Sequence, residues 1–361
     1  MKSRQLQEAE EFWVRCEPWL NERGYRLRAR YRPGWIASWK DRMMEPSSCE
    51  DGQMLENAGF LDAERISDGM VVCFKKLPAS DSEVEMNRIL SEMDDVQDPR
   101  NHCARCFEIL SVPRELEPES DIVLLVLPFL TRWHEPEFDT VGEALDFFKQ
   151  LCEGLQFLHD HYIAHNDIKF NNIMMDSRPL YDLPIHPANP LMARDWSRKV
   201  RVFTRTERPV KYYYIDFGLS EQQPQNRKRC YGGDRTVPEF KRNEPADPFT
   251  VDIYRLGNLF RECLMSGTLS PTLFPKRRGL EFMDGLITDM TLPDPDKRPT
   301  IHEVVSRFGT LQKGLKWKQL RAPLIAYDDT PLGAQRWGRH WRTQISYTIK
   351  GKPAIPTAAG G

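Results

Sequence analysis

The chain has 361 residues, 40% hydrophobic and 29% charged, which is enough to bury a two-lobed core and too apolar for wholesale disorder. A formal net charge of -2 and a sequence pI of about 6.5 give no global attraction to nucleic acid or to an anionic membrane surface. Eight cysteines spread over this length do not make a disulfide scaffold.

The opening stretch, MKSRQLQEAEEFWVRCEPWL, carries acids and bases where a secretory leader needs an uninterrupted apolar run, and no later run reaches bilayer length. The expectation is a soluble intracellular protein, cytoplasmic or nuclear, with no membrane and no nucleic-acid partner. Residues 1–59 are rich in Trp, Arg and Glu and are broken by Pro33-Gly34, Pro46 and Gly52, so they read as an N-terminal extension with only short elements.

From Phe60 the pattern sharpens. FLDAERI and MVVCFKKL, joined by Ser67-Asp68-Gly69, predict a hairpin. EVEMNRILSEM sets Met86, Ile89, Leu90 and Met93 at helical spacing, and IVLLVLPFL from Ile122 suits a strand buried on both faces that ends at Pro128. VGEALDFFKQLCEGLQFLHDHY places Leu145, Phe148, Cys152, Leu155 and Leu158 on one helical stripe. Beyond it the chain is mostly helical, and the tail 313–361 holds Trp317, Trp337 and Trp341 and ends in a frayed-looking KPAIPTAAGG. Cys103-Ala-Arg-Cys106 beside His102 lacks the second ligand pair of a zinc site, so packing thiols are expected there.

The chemistry begins at AHNDIKFNNIMMD, an H-x-D-x-K-x-x-N arrangement. Phosphoryl transfer needs a carboxylate to orient the attacking hydroxyl, oxygen ligands for magnesium and a cation for the phosphates. Asp167 is placed as the orienting base, Lys169 to neutralise the transferred phosphoryl group and Asn172 to ligate magnesium. YYYIDFGLS then delivers Asp216, a hard carboxylate ligand, beside Phe217 and a glycine that lets the chain turn.

Four further stretches extend the pattern: Val72-Cys73-Phe74-Lys75, Thr236-Val237-Pro238-Glu239, Asp252-Ile253-Tyr254-Arg255-Leu256-Gly257 and Asp296-Lys297-Arg298-Pro299-Thr300. Together the chain from about Phe60 to Gln312 resembles a eukaryotic protein kinase domain, and RTERPVKYYYIDFG and GGDRTVPEF resemble the kinase-like proteins of mushroom-forming fungi. The resemblance implies an α+β bilobal fold. Its N-lobe, residues 60–128, is a small antiparallel sheet with one main helix, and its C-lobe, 131–312, is larger and helical. The resemblance further implies an ATP cleft, used with magnesium, between the lobes.

The resemblance also implies that Lys75 reaches the α/β-phosphates, that Asp252 braces the catalytic-loop backbone and that Arg298 forms a buried ion pair with Glu239. Leu127 would be the gatekeeper, and the Pro128 carbonyl and the Leu130 N–H would bracket Phe129 at the adenine. Proline lacks only the N–H, so it suits that position. Lys169 fits the serine/threonine class better than the tyrosine class.

Three departures stand out. GQMLENAGFLDAERI has Gly52 and Gly59 in no G-x-G-x-x-G arrangement, which loosens the expected grip on ATP. The loop reads His-Asn-Asp, without an arginine to meet a phosphorylated activation segment, so activity is expected not to depend on phosphorylation of Ser220, Tyr231 or Thr236. The partner of Lys75 is Glu83 in preference to Glu85.

Residues 177–211 hold eight Arg or Lys against Asp182, Asp195 and Glu207, and the stretch to about 208 reads as a basic insertion. It is either a solvated loop or, with Arg227, Lys228 and Arg229, a dock for an acidic segment of a protein substrate or partner. The function expected is ATP- and magnesium-dependent transfer to a protein hydroxyl. The alternatives are a pseudokinase scaffold, against which the intact Lys75, Asp167, Lys169, Asn172 and Asp216 argue, and a small-molecule kinase, against which VPEF, DIYRLG and DKRPT argue.

Overall fold

The computed structural model describes residues 6–40, 44–54, 57–93, 97–118, 121–222, 234–327 and 333–357. The first part of the chain forms α1 (Glu8–Glu22), β1 (Tyr25–Leu27), β2 (Phe60–Arg65), β3 (Val71–Pro78), α2 (Ser82–Glu92), β4 (Glu108–Ser111), β5 (Ile122–Pro128) and β6 (Thr131–Arg132). Then come α3 (Val141–Asp160), β7 (Ile163–Ala164), β8 (Ile173–Asp176), β9 (Ile185–His186), β10 (Asn189–Ala193), β11 (Lys211–Tyr214) and β12 (Glu221–Gln222). The remainder is helical: α4 (Pro238–Lys241), α5 (Pro248–Phe260), α6 (Asp284–Met290), α7 (Ile301–Lys313), α8 (Trp317–Leu320) and α9 (Ala334–Ile349). The chain divides into two compact units, one of residues 1–93, 104–130 and 181–202 and one of 94–103, 131–180 and 203–361.

The first unit is built on a five-stranded antiparallel sheet in the order β1-β2-β3-β5-β4. The predicted hairpin is β2 and β3, with Gly69 at φ 70°, a left-handed turn position that favours glycine. Side chains alternate across the sheet. Leu61, Ala63, Val72, Phe74, Leu124 and Val126 pack into one core, whereas Val123 and Leu125 pack with Val84 of α2 on the other face. Burial on both faces explains why β5 reads as a continuous apolar run.

The expectation of only short elements before residue 60 is corrected. The 15-residue α1 puts Phe12, Trp13, Cys16 and Leu20 into the first core, and Glu10 makes a bidentate pair with Arg30 at 2.7 Å with both side chains fully buried. β1 is the strand preceding β2, so their connection is residues 28–59, whose described parts hold short helical turns at Ala29–Tyr31, Pro46–Ser48 and Glu50–Gly52. Gly52 serves packing within it: a Cβ there would lie 1.8 Å from the Pro46 carbonyl oxygen.

The basic insertion carries regular structure, with Arg198, Lys199 and Arg201 exposed on it. Its residues 181–202 belong to the first unit, where β9 and β10 pair as a short hairpin, and His186 is fully buried with the Trp196 ring edge-on at 4.8 Å.

The second unit is centred on α3, whose predicted stripe of Leu145, Phe148, Cys152, Leu155 and Leu158 is buried. The tail belongs to it: Gln344 of α9 accepts from Arg321 and donates to Asp139, at 3.1 and 3.0 Å. Among the described residues, no helix is long and apolar enough to cross a membrane, and no group of three or more His, Cys, Asp or Glu could hold a metal. Burial pushes the Cys103 and Cys106 thiols up to about 12 and about 11, as for inert packing cysteines.

Asp146 on α3 is buried and accepts from Gln150 at 2.8 Å. Burial, only partly offset by Gln150 and Lys149, pushes its carboxyl up to about 8. The native state therefore holds a proton that the unfolded chain has released, and stability falls as pH rises from 3.8 to about 8. Asp146→Asn keeps the acceptor oxygen and removes that slope, so it is expected to raise the melting temperature more at pH 8.5 than at pH 5. Equal shifts at the two pH values would refute this assignment.

Candidate active site

The loop of residues 165–172 is fixed from below by α5. Its Asp252, fully buried, accepts the backbone N–H of His165 at 2.7 Å and of Asn166 at 2.8 Å, which is the brace expected of it. His165 is fully buried, and burial holds its pKa below the ordinary imidazole value. As a neutral ring it accepts the Asp167 N–H at Nδ1 (3.2 Å) and donates from Nε2 to the Ile215 carbonyl (3.2 Å), joining this loop to the segment that carries Asp216. Asn166, where an arginine was noted as missing, has φ 60° and donates its side-chain amide to the Leu219 carbonyl at 3.1 Å. A neutral amide thus ties the loop to the start of the activation segment.

Asp167 is the focus of the cluster. Its Oδ2 receives Asn172 Nδ2 at 2.8 Å and Lys169 Nζ at 2.7 Å, and its Oδ1 receives Arg255 Nη1 at 2.8 Å. Asn172 also donates to the Asp167 carbonyl at 3.0 Å. Both hydrogens of that amide are therefore spent, leaving the carbonyl Oδ1 of Asn172 as the atom available to a cation. Strands β8 and β11 pair Ile173 with Tyr214, and the Ile215 N–H donates to the Asn172 carbonyl at 3.0 Å. The ladder thereby delivers Asp216 beside Asn172 in a left-handed conformation, φ 65°. A carboxylate and an amide carbonyl are hard oxygen donors of the kind magnesium takes alongside phosphate oxygens.

Arg255 escaped the sequence reading. It lies one turn after Asp252 on α5, is only 4% exposed, and its Nη2 sits 3.6 Å from Asp234, which in turn accepts Thr236 N–H and Oγ1–H at 2.9 and 2.7 Å. The only sequence signal was a buried-face position in DIYRLG occupied by an arginine, which requires an anionic partner.

Glu239 and Arg298, the predicted pair, form a bidentate bridge at 2.8 and 2.7 Å, with Arg298 also donating to the Leu292 and Thr250 carbonyls. Arg227, Lys228, Arg229 and Tyr231 lie outside the described residues.

The remaining predicted residues are in the first unit. Lys75 on β3 is ion-paired and hydrogen-bonded to Glu83 of α2, whereas Glu85 is exposed and paired with Arg88. Pro128 ends β5 opposite Val72, and Leu130 follows two residues later, both partly buried. Direct pairing puts Lys75 with Phe60 and Leu125, and Cys73 with Asp62 and Leu127, so these two rows share one face of the sheet.

Asp62 on that face is buried. It accepts Arg28 Nε at 3.0 Å on Oδ1 and meets Arg194 Nη2 at 2.7 Å on Oδ2. Burial alone would raise its carboxyl, but Arg28, Arg194 and His186 more than offset it and hold the pKa below the ordinary value.

Comparison with known proteins agrees with this geometry. A protein kinase domain model matches residues 60–278. A Wee1-like protein kinase of Oryza sativa subsp. japonica is 28% identical over 178 residues, covering 45% of this chain and 28% of that protein. The SNF1-related protein kinase catalytic subunit alpha KIN12 of Arabidopsis thaliana is 23% identical over 223 residues, covering 56% and 38%. The probable serine/threonine-protein kinase KKQ8 of Candida glabrata is 30% identical over 124 residues, covering 34% and 13%. The chain thus spans less than two-fifths of the length of each of these relatives. With the matched region reaching across more than half of its residues, the chain belongs to the protein kinase domain family.

Proposed function

We propose that the protein transfers phosphate from ATP, with magnesium, to serine or threonine hydroxyls of proteins. The observation that carries this reading is the convergence of Asn172, Lys169 and Arg255 on the two oxygens of Asp167. Bound Mg·ATP would supply the phosphoryl group and the metal's charge. Asn172 Oδ1 and the Asp216 carboxylate would hold the metal, and Lys75, steadied by Glu83, would hold the phosphates. The Pro128 carbonyl and Leu130 N–H would meet the adenine.

Asp167 Oδ2 carries two donors and Oδ1 one, so Oδ1 has the spare lone pair that orients the incoming hydroxyl and takes its proton. Lys169, 45% exposed, can leave Oδ2 for the transferred phosphoryl group. In domain terms, 60–128 would serve as the N-lobe and 131–312 as the C-lobe, flanked by 1–59 and 313–361. The placement among kinase-like proteins of mushroom-forming fungi rests on RTERPVKYYYIDFG and GGDRTVPEF, and a cytoplasmic location on the sequence alone.

A docked acidic substrate segment would use the exposed Lys199 and Arg201, with Arg227, Lys228 and Arg229, rather than Arg194, which is committed to Asp62. A second reading, a scaffold without turnover, is favoured by one observation: the Arg28–Asp62–Arg194 network on the Lys75 face.

Incorporation of labelled phosphate from ATP into acidic and basic protein substrates, with and without magnesium, tests the proposal. Magnesium-dependent incorporation on serine or threonine is expected, and none under any condition would favour the scaffold. Because Asn166 and Arg255 tie the loop and segment without phosphate, turnover should be comparable before and after phosphatase treatment. A large loss would refute that independence.

A further inference from the structure

We infer that the segment Leu183–Asp195 is a gate on the nucleotide side of the first unit's sheet, latched by Arg194 on Asp62 and closed in the state described here. The inference rests on the kinase reading in taking the face that carries Lys75 as the nucleotide side and Pro128 and Leu130 as the hinge.

The register supports it. A nucleotide reaching from the hinge residues Pro128 and Leu130 to Lys75 must cross the row Asp62–Cys73–Leu127, since Cys73 lies two residues before Lys75 on the same face. An adenine ring wants a flat apolar slot. Here the row holds a carboxylate whose side chain is 4% exposed, and the groups that cover it are cations. Arg28 comes from the residue that continues β1, and Arg194 comes from the insertion. His186 of β9 lies 3.4 Å from both Arg28 Nη1 and Glu50 Oε1, so the hairpin has a second polar anchor on the same network. Cys73 and Leu127 are partly exposed, so the cover lies at the Asp62 end of the row, and whatever occupies that end must first move the Arg194 arm.

The latch is built to release. A two-strand hairpin of this length is marginal alone and depends on its dock. Arg194 meets Asp62 through Nη2, while its Nη1 is buried with no hydrogen-bond partner among the described residues. Arg28 stays on Asp62 when Arg194 leaves, so opening strands no charge in the sheet. Beside the latch is a cavity of about 580 Å³, lined by Arg26, Arg28, Glu64, Val71, Pro184 and Arg194, so the arm borders open space on that side.

Two measurements on the full chain test the gate: the dissociation constant of Mg·ATP, and the rate at which a small alkylating reagent modifies Cys73, followed by peptide mass spectrometry. Arg194→Ala, and a second variant with residues 183–195 replaced by a short Gly-Ser turn, are expected to bind Mg·ATP at least tenfold more tightly and to alkylate Cys73 at least tenfold faster. Arg194→Lys should stay near the parent values. If both variants remain folded with unchanged affinity and unchanged Cys73 reactivity, the gate is wrong. If opening gives tight ATP binding without phosphate transfer, the gate stands and the kinase reading falls.

Discussion

Asp167→Asn should leave Mg·ATP affinity within about twofold of the parent and lower the phosphoryl-transfer rate by roughly 10²–10⁴-fold, the range over which a positioned base contributes. The split is expected because, on the proposed mechanism, Asp167 would touch the attacking hydroxyl, whereas the nucleotide contacts would belong to Lys75, Asn172 and Asp216. The variant should also lose a little stability, about 1–3 kcal/mol, since an amide can satisfy Arg255 or Lys169 but not both as a carboxylate does. Arg255→Met should lower the rate in the same direction through misplacement of Asp167, with Arg255→Lys recovering part of it. A drop in affinity with an unchanged rate would show that Asp167 is not the base.

The largest stability effect is expected at Arg298. Its side chain is fully buried against a Glu239 carboxylate that is only 2% exposed, and it satisfies backbone carbonyls on either side. Removing the cation leaves a carboxylate desolvated and unpaired, which costs about 3–5 kcal/mol. Urea unfolding of Arg298→Ala should show that loss. The double replacement Arg298→Met with Glu239→Leu should recover most of the ion-pair part, because no orphaned charge remains. A single-variant loss under about 1 kcal/mol would contradict the view that this bridge holds α4 to the rest of the second unit.

What the sequence disclosed and what it hid follow from range. The hairpin β2–β3, the helices α2 and α3 and the strand β5 rest on spacing within one element, and periodicity reports it directly. Glu83 could be preferred over Glu85 because Val84, Met86 and Leu90 fix which face of α2 is buried. The α1 helix was obscured by Pro18 within it and by a Trp- and Arg-rich context, although Phe12, Trp13, Cys16 and Leu20 mark its buried face. Strand β1 has three residues, too few for alternation to register.

The insertion read as either a solvated basic run or an acidic dock because cations look alike until their partners are known. Arg194 is answered by Asp62, more than a hundred residues earlier, and Arg255 by Asp167, 88 residues earlier. Long-range ion pairing leaves no local signature, and the Arg194–Asp62 pair is what ties the insertion to the five-stranded sheet.

The deciding measurement is phosphate transfer from Mg·ATP by the chain whose residues 183–195 are replaced with a short turn, with and without Asp167→Asn. With the nucleotide face uncovered, magnesium-dependent transfer to a protein hydroxyl is predicted, and the aspartate replacement should remove it. A folded, ATP-binding chain that transfers nothing, or transfers equally well without Asp167, would contradict the catalytic assignment.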